Sequence, residues 1–248
     1  MLTTFTADLH VHTCLSPCGD LLMSPKKITA RVLERSLDII AITDHNSAEN
    51  AQAVMKAAAG KNVVVLPGME VCSREEIHVL AIFENLISAL ELQDIVYAHL
   101  TGENNADVFG DQIVANERDE VEGYQNRFLL GAVDLPLDDL EKSIHRLNGI
   151  VVASHIDRES YSVIGQLGFI PETARFDALE ISSNISDKEA ESRFERYCGQ
   201  TFIRNSDAHF LDDIGKSAST LLIDRPSFNE VKKALRKEGG RKVLSPDA

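Results

Sequence analysis

The sequence lacks any stretch approaching the roughly 20 consecutive apolar residues that a helix needs to cross a bilayer. Its first residues also lack the basic segment and following apolar stretch that mark a signal peptide. Cysteine is scarce, with four residues in 248, and without a secretion signal these four do not indicate a disulfide framework. Together, these absences predict a cytoplasmic protein with no membrane partner.

Positive charge is also in short supply, because 25 Lys and Arg residues against 39 Asp and Glu residues give a formal net charge of −14. This balance argues against a protein that holds long nucleic acids or an anionic membrane through its overall charge. It is compatible with a small phosphorylated substrate, because a bound metal ion can invert the local field. No glycine-rich phosphate loop of the GxxxxGK type is present, so ATP-driven chemistry is not expected. The sequence does not indicate an oligomeric state.

Strand-like and helix-like segments alternate along most of the chain. Residues 38–43 are typical of a short buried strand, and the alanine-rich residues 47–59 favour a helix. Such alternation predicts a mostly parallel sheet with helices packed outside it. About seven or eight strands in this length favour a closed or nearly closed barrel, and a single domain over residues 1–248. Residues 101–128 are polar and acidic with little periodicity, which predicts a long surface excursion.

Histidines collect near the ends of the predicted strands. Six of the eight lie at these ends or just beyond them: His10, His12, His45, His78, His155 and His209. Glu70 and Asp207 occupy similar positions. A single histidine near a strand end is more often a surface or capping residue, but four strand ends carry them here. In a parallel barrel such ends meet at one mouth, where active sites lie.

Converging imidazoles and carboxylates are ligands for Zn²⁺, Mn²⁺ or Fe²⁺. The groups at the strand ends exceed the four ligands that one tetrahedral zinc takes. We therefore predict two or three divalent metal ions per chain as cofactors, with Glu70 able to bridge two of them.

Three further predictions concern the geometry around the histidines. A turn centred on Arg74 would place His78 opposite Glu70 across a hairpin. Asp8 is expected on the same face as the first histidine pair, where it would hold a ligand imidazole through its free N–H. Asp44 is expected to face away from the metals, and either to orient a neighbouring group or to have an ordinary hydrogen-bonding role.

Six short motifs occur in order along the chain: DLHVHT at 8–13, AITDHN at 41–46, GMEV at 68–71, EIHVLAIF at 76–83, ASHIDR at 153–158 and NSDAH at 205–209. This ordered set resembles the successive motifs of the PHP family, which is named for polymerase and histidinol phosphatase. The resemblance covers most of the chain. It implies an α/β fold, a distorted seven-stranded (β/α) barrel, with a trinuclear metal site that most often acts as a phosphoesterase.

Transferred residue by residue, the resemblance implies three metal sites that share ligands. The ligand sets are His10, His12, Glu70 and Asp207 for one metal, Glu70, His78 and His155 for a second, and His45 and His209 for a third. The third site needs one more ligand from the loop at residues 13–20. Asp20 is our choice because it offers a hard oxygen donor, and Cys18 is the alternative, since a thiolate would favour zinc.

The function implied is hydrolysis of a small phosphate ester, such as histidinol phosphate or a nucleotide, by attack of a metal-bound hydroxide. Glu70 and Asp207 are the predicted catalytic carboxylates. Arg158 is the predicted cation for the phosphate, with a surface ion pair as an equal alternative.

The competing functions are an exonuclease on short oligonucleotide ends and a non-catalytic metal-binding interaction domain. A C–N hydrolase on a related barrel is less favoured, because no lysine lies at an expected strand end.

Overall fold

The computed structural model describes residues 1–244. The strands are β1 (Thr3–Val11), β2 (Ile39–Ile42), β3 (Val64–Cys72), β4 (His78–Ile82), β5 (Ile113–Ala115), β6 (Val121–Tyr124), β7 (Ile150–Ala153), β8 (Ala178–Ile181), β9 (Phe202–Arg204), β10 (Ser219–Ile223) and β11 (Lys242–Leu244). The helices are α1 (Pro25–Glu34), α2 (Ala51–Ala57), α3 (Leu86–His99), α4 (Ala106–Phe109), α5 (Leu137–Arg146), α6 (Val163–Leu167), α7 (Asp187–Arg193) and α8 (Phe228–Leu235), with 3₁₀ turns at Glu195–Tyr197 and Leu211–Asp213. Within the described residues, no helix has the length and apolar composition needed to span a membrane.

Nine strands form one curved sheet in the order β11-β10-β1-β2-β3-β4-β7-β8-β9, and β5 and β6 form a separate hairpin. The pairs β1–β2, β2–β3, β7–β8 and β8–β9 are parallel, whereas β4, β10 and β11 run antiparallel to their neighbours. Ser219 Oγ accepts a hydrogen bond from Arg204 N at 2.8 Å and donates one to Arg204 O at 2.9 Å. These bonds bring β10 beside β9 and nearly close the sheet into a barrel.

The predicted α/β barrel is confirmed, but its sheet has nine strands rather than seven. The difference arises because β10 and β11 add to the β1 side of the sheet as antiparallel strands. The expectation of a mostly parallel sheet is wrong for half of the strand pairs. In addition to β10 and β11, β4 returns as the hairpin partner of β3 and pairs antiparallel with β7.

Aliphatic side chains that alternate along the strands fill the barrel interior. Leu9 of β1, Leu80 of β4 and Val152 of β7 are fully buried in this interior cluster. Each such side chain stabilises the fold by roughly 1.5–3 kcal/mol. Helix α8 closes one end, because Phe228 belongs to the same cluster and Lys232 Nζ donates to Asn148 O at 2.7 Å, just before β7 begins. A second apolar cluster, the outer cluster, lies between the sheet and the helices. Polar side chains are left to occupy the other end, the mouth.

The polar segment at residues 101–128 carries the short helix α4 and the β5–β6 hairpin. The hairpin was not predicted, because its strands have only three and four residues and show no clear alternation. Gln112 holds the segment together, since its Nε2 donates to the carbonyls of Gln125 and Arg127 at 2.6 Å each. Asn50 attaches it beside the barrel by donating from Nδ2 to Ile113 O at 2.9 Å.

A buried carboxylate on α5 is poorly compensated in the folded state. Glu141 is 3% exposed, and its Oε2 accepts a hydrogen bond from Arg175 N at 3.0 Å. Its Oε1 has no hydrogen-bond partner among the described residues. Burial raises the pKa of Glu141 to about 7.

We predict that Glu141→Gln stabilises the protein at high pH. A carboxyl group whose pKa rises on folding is held protonated by the folded state, so wild-type stability falls as the pH rises from about 4.5 through about 7. The amide cannot ionise, and the free energy of unfolding of the variant should be higher by up to roughly 3 kcal/mol near pH 8 and comparable near pH 4. Urea unfolding across this pH range measures the difference. A gap that does not depend on pH would contradict the prediction.

Candidate metal centre

An irregularity in β1 turns two histidines towards the mouth. Between Asp8 and Val11 the pairing of β1 with β2 shifts, which marks a β-bulge. Leu9 belongs to the interior cluster and Val11 to the outer cluster, so the bulge reverses the alternation of side chains. His10 and His12 consequently face the barrel interior at its mouth, where both are fully buried.

The Glu70 carboxylate lies at the centre of the mouth and is 1% exposed. Ring nitrogens of five histidines lie within 3.6 Å of its oxygens: His78 Nδ1 at 3.1 Å, His45 Nδ1 and His155 Nε2 at 3.2 Å, His10 Nε2 at 3.4 Å and His12 Nε2 at 3.6 Å. Although burial raises it, His78 and His10 hold the pKa of Glu70 well below its usual range. The carboxylate is therefore ionised and surrounded by imidazoles.

Asp207 is the second carboxylate at the mouth. Its Oδ1 lies 3.2 Å from Nε2 of both His10 and His12, and 3.5 Å from Nδ1 of His209. Its Oδ2 lies 2.7 Å from Nη1 of Arg158. Although burial raises it, the nearby His10 holds the pKa of Asp207 well below its usual range. The structure thus brings all six predicted histidines, both carboxylates and the predicted phosphate cation to one place.

The hairpin places His78 two residue pairs away from Glu70 instead of directly opposite it. In the β3–β4 register His78 lies opposite Cys72, while Glu70 lies opposite Leu80. The turn is centred on residue 75, not on residue 74, because Ser73 N donates to Ile77 O and closes a longer loop. His78 still reaches Glu70, since both side chains face the interior and lie two residues apart along the hairpin.

A chain of hydrogen bonds fixes the ring of His12. Its Nδ1–H donates to Ser16 Oγ at 3.0 Å, and Ser16 Oγ donates to Asp44 Oδ1 at 2.7 Å. Of the two roles considered for Asp44, the structure shows that of orienting a neighbouring group, because Asp44 acts on His12 through Ser16. Burial and the nearby His209 lower the pKa of His12 to about 3. The ring is therefore neutral near pH 7, with the lone pair of Nε2 turned to the mouth.

Glu180 fixes the ring of His10 through a hydrogen bond, and sequence reasoning missed this residue. The carboxylate is fully buried, and His10 Nδ1–H donates to its Oε2 at 3.0 Å and lies 3.1 Å from its Oε1. Asn205 Nδ2 donates to the same Oε2 at 3.1 Å. Burial lowers the pKa of His10, but Glu180 and the other carboxylates raise it well above its usual value. Alternation along β8 was the available signal, because the interior residue Ala178 lies two positions before Glu180.

The prediction that Asp8 holds a ligand imidazole is wrong. The bulge that turns His10 inward leaves Asp8 on the other face of β1. Its Oδ1 accepts from Ser206 N and its Oδ2 from Gly215 N, at 3.0 Å each. Asp8 therefore fixes the loop that carries Asp207, and burial raises its pKa to about 6.

The loop at residues 13–20 offers no clear ligand for a third site. Asp20 Oδ1 accepts from Leu22 N at 2.7 Å, within its own turn. The only groups of three or more ligand atoms found among the described residues contain neither Asp20 nor Cys18. The assignment of Asp20 or Cys18 to a metal stays a prediction.

The donor set at the mouth fits divalent metals. Three groups place their ligand atoms within 4.8 Å of one another: His10, His12 and Glu70; His45, Glu70 and His78; and His12, His45 and His209. They overlap with the ligand sets implied by resemblance but distribute His12 and His45 differently. The Nε2 atoms of His10 and His12 are 3.1 Å apart, and His155 Nδ1 is buried without a hydrogen-bond partner among the described residues. Imidazoles and ionised carboxylates at such distances are donors for Zn²⁺, Mn²⁺ or Fe²⁺.

The donors open into a cleft of about 550 Å³. Besides the metal-site residues, its walls include Asp157, Arg158, Glu159 and Tyr161. Arg158 is the one Lys or Arg among the cleft residues that the structure describes. The ring of Tyr161 stacks on that of His78 with 4.7 Å between centroids. The cleft therefore combines an acidic wall with a single cation.

Comparisons with known proteins agree with this geometry. The family model of the PHP domain matches residues 8–167. Uncharacterized protein YqxK of Bacillus subtilis (strain 168) is 26% identical over 112 residues, which cover 43% of this chain and 29% of that protein. The novel lesion-specific endonuclease Q of Pyrococcus furiosus has a similar fold, with a TM-score of 0.77, 19% identity, and coverage of 98% of this chain and 58% of that chain.

A second similar structure bears on the partner. An endonuclease Q complex with a 27-mer duplex substrate, with an abasic lesion at the active site, gives a TM-score of 0.75 at 18% identity and covers 98% of this chain and 59% of that chain. The expectation that long nucleic acids are excluded is therefore wrong, since a protein of this fold holds duplex DNA at its active site. Net charge failed as a criterion because it sums the whole surface, whereas a substrate meets only the local field of the mouth.

We predict that Glu180→Gln weakens metal binding at the mouth by about 10- to 100-fold, because the amide no longer fixes His10 through a charged hydrogen bond. Isothermal titration of the metal-free protein with Zn²⁺ or Mn²⁺ measures the affinity. Glu141→Gln, which also neutralises a buried glutamate but lies on α5, is the matched control and should bind metal like the wild type. Equal affinities for the two variants would show that Glu180 does not support the site.

Proposed function

This chain belongs to the PHP domain family. We propose that it is a metal-dependent phosphoesterase that cleaves a phosphodiester in a nucleic-acid strand. The observation that carries the proposal is the pairing of Arg158 with Asp207 at 2.7 Å, beside Glu70 and its histidines, in a cleft with one cation. The similarity to an endonuclease Q bound to duplex DNA supports the choice of strand.

Charge in the cleft favours a diester over a monoester. A phosphomonoester carries about −1.5 to −2 near pH 7, whereas a diester carries a single negative charge. Besides the metal-site carboxylates, the acidic Asp157 and Glu159 line the cleft, and Arg158 is the one side-chain cation among the lining residues that opposes them. A singly charged phosphate is the better match for one guanidinium.

The side chains of the mouth have separable roles. Divalent ions bound there would offset phosphate charge and lower the pKa of a coordinated water. Glu70 and the six histidines would hold these ions, with Glu70 shared between them. Asp207 fixes the guanidinium of Arg158, which can then donate two hydrogen bonds to phosphate oxygens and orient the ester. Glu180 and Asp44 keep two of the rings in a single orientation.

A small phosphomonoester, such as histidinol phosphate or a nucleotide, is the second candidate. The size of the cleft, about 550 Å³, favours it, because pockets of roughly 300–1,000 Å³ enclose whole small molecules. The two candidates differ in the leaving group and in the charge that the cleft must neutralise.

A comparison of esters separates the candidates. The protein, supplied separately with Mn²⁺, Zn²⁺ and Fe²⁺, should hydrolyse bis-p-nitrophenyl phosphate with a kcat/KM at least about tenfold above that for p-nitrophenyl phosphate, because one cation opposes the second charge poorly. A preference for the monoester would favour the second candidate. Hydrolysis of neither ester with any of the metals would contradict the proposed phosphoester chemistry.

Arg158 supplies a further prediction. Arg158→Ala should raise KM for the diester by about tenfold, as the loss of a charge-assisted bidentate contact requires. Arg158→Lys should recover part of the loss, because it keeps the charge but not the planar fork. Steady-state kinetics with a metal assay of each variant measure the effect, and the exposed Arg118→Ala is the control. An unchanged KM for Arg158→Ala would remove the residue from substrate binding.

A further inference from the structure

An apolar rim lies beside the mouth on two adjacent loops. It consists of Leu21, Leu22 and Phe210, which are 58%, 53% and 54% exposed. Asp20 N donates to His209 O at 2.8 Å, so the loop that carries the leucines is joined to the loop that carries the phenylalanine. Because His209 lines the cleft, the apolar rim borders the place where the ester would lie.

The apolar rim rests on a firm base. Asp20 accepts from Leu22 N through Oδ1 and from Met23 N through its carbonyl, at 2.7 and 2.9 Å. Met23 is fully buried and anchors this turn in the outer cluster. These exposed apolar side chains on a constrained turn have no covering partner within residues 1–244, and such patches commonly mark a binding surface.

Positive charge adjoins the apolar rim although the whole chain carries −14. Helix α1 begins two residues after Met23, and Lys26 and Lys27 in its first turn are exposed. Neither ammonium forms an ion pair within residues 1–244. Further along α1, Arg31 pairs with Asp212 at 3.0 Å, which ties the helix to the turn that follows Phe210. The two lysines and the apolar rim thus belong to one continuous surface.

We propose that this surface binds the nucleotides that flank the scissile phosphate of a nucleic-acid strand. This inference depends on the proposed phosphodiesterase function. Phe210 and the leucines offer apolar faces on which unstacked bases can pack. The same side chains could also enter a duplex as wedges between neighbouring base pairs. Lys26 and Lys27 offer cations for the neighbouring phosphates, a complement that an uncharged or basic partner would not use. The surface would extend recognition beyond the single phosphate that the cleft holds.

Two substrates and two variants test the proposal. The substrates are a 27-mer DNA duplex containing one abasic site, of the kind that endonuclease Q holds, and bis-p-nitrophenyl phosphate, which carries no flanking nucleotides or phosphates. The variants are Leu22→Ser/Phe210→Ser and Lys26→Gln/Lys27→Gln. Ile87→Ser is the control, because Ile87 is 71% exposed and follows β4, whose antiparallel course ends away from the mouth.

For the apolar-rim variant, the ratio of kcat/KM for the duplex to that for the small diester should fall by about tenfold, and Kd for the duplex in EDTA should rise by about tenfold. For the lysine variant, the slope of log Kd against log salt should decrease by roughly 1 to 2. The Ile87→Ser control should match the wild type in both measurements. Thermal unfolding identifies variants that are folded.

Three outcomes would overturn the proposal. Equal losses on both substrates would show that the apolar rim supports the cleft instead of binding a strand. If both variants keep the wild-type Kd for the duplex and the wild-type ratio of kcat/KM values, no nucleic-acid strand binds to this surface. Turnover of the small diester without any cleavage or binding of DNA would end this inference while the phosphodiesterase chemistry stands. No turnover of either substrate would instead contradict the proposed function itself.

Discussion

The convergence of five imidazoles on the buried Glu70 carboxylate is the interaction on which the rest of the site depends. A carboxylate that is 1% exposed is costly to ionise unless positive charge or hydrogen-bond donors surround it. Here the surrounding groups come from strands that lie far apart in sequence, so the barrel must form before they can meet. Divalent ions bound at the mouth would be coordinated by the lone pairs of these nitrogens and oxygens. The ions needed for the reaction would thereby also stabilise the folded state.

Irregularities of the sheet and of its loops place these side chains at the mouth. The bulge in β1 turns His10 and His12 inward, and the β3–β4 hairpin returns His78 to the side of Glu70. His155 and Asp207 adopt left-handed backbone conformations, with φ of 30° and 50°, just after β7 and β9. Such backbone conformations are unfavourable for residues other than glycine, and they persist at functional sites where neighbouring groups enforce them. Asp8 is one of these neighbours, since it binds the backbone of the loop before and after Asp207.

Sequence reasoning identified the side chains that meet at the mouth because histidines at strand ends form a pattern that the topology turns into proximity. It missed Glu180, which lies within a short buried strand and looks like an ordinary strand residue until His10 is seen across the barrel. It placed Asp8 wrongly because strict alternation cannot anticipate a bulge. It set aside nucleic acids on net charge, although α1 carries Lys26, Lys27 and Arg31 beside the apolar rim. In each case the missing information was which residues from distant segments come together, and this is what the fold supplies.

The most direct test of the central claim is the metal content of the purified protein, measured by inductively coupled plasma mass spectrometry for the wild type and for folded Glu70→Gln. The account predicts about two or three divalent ions per wild-type chain, because the donors exceed what one ion can use, and the loss of about one ion or more in the variant. A wild-type chain that retains no more than one ion after exposure to Mn²⁺, Zn²⁺ or Fe²⁺ would contradict it. Equal metal content in the two proteins would also contradict it.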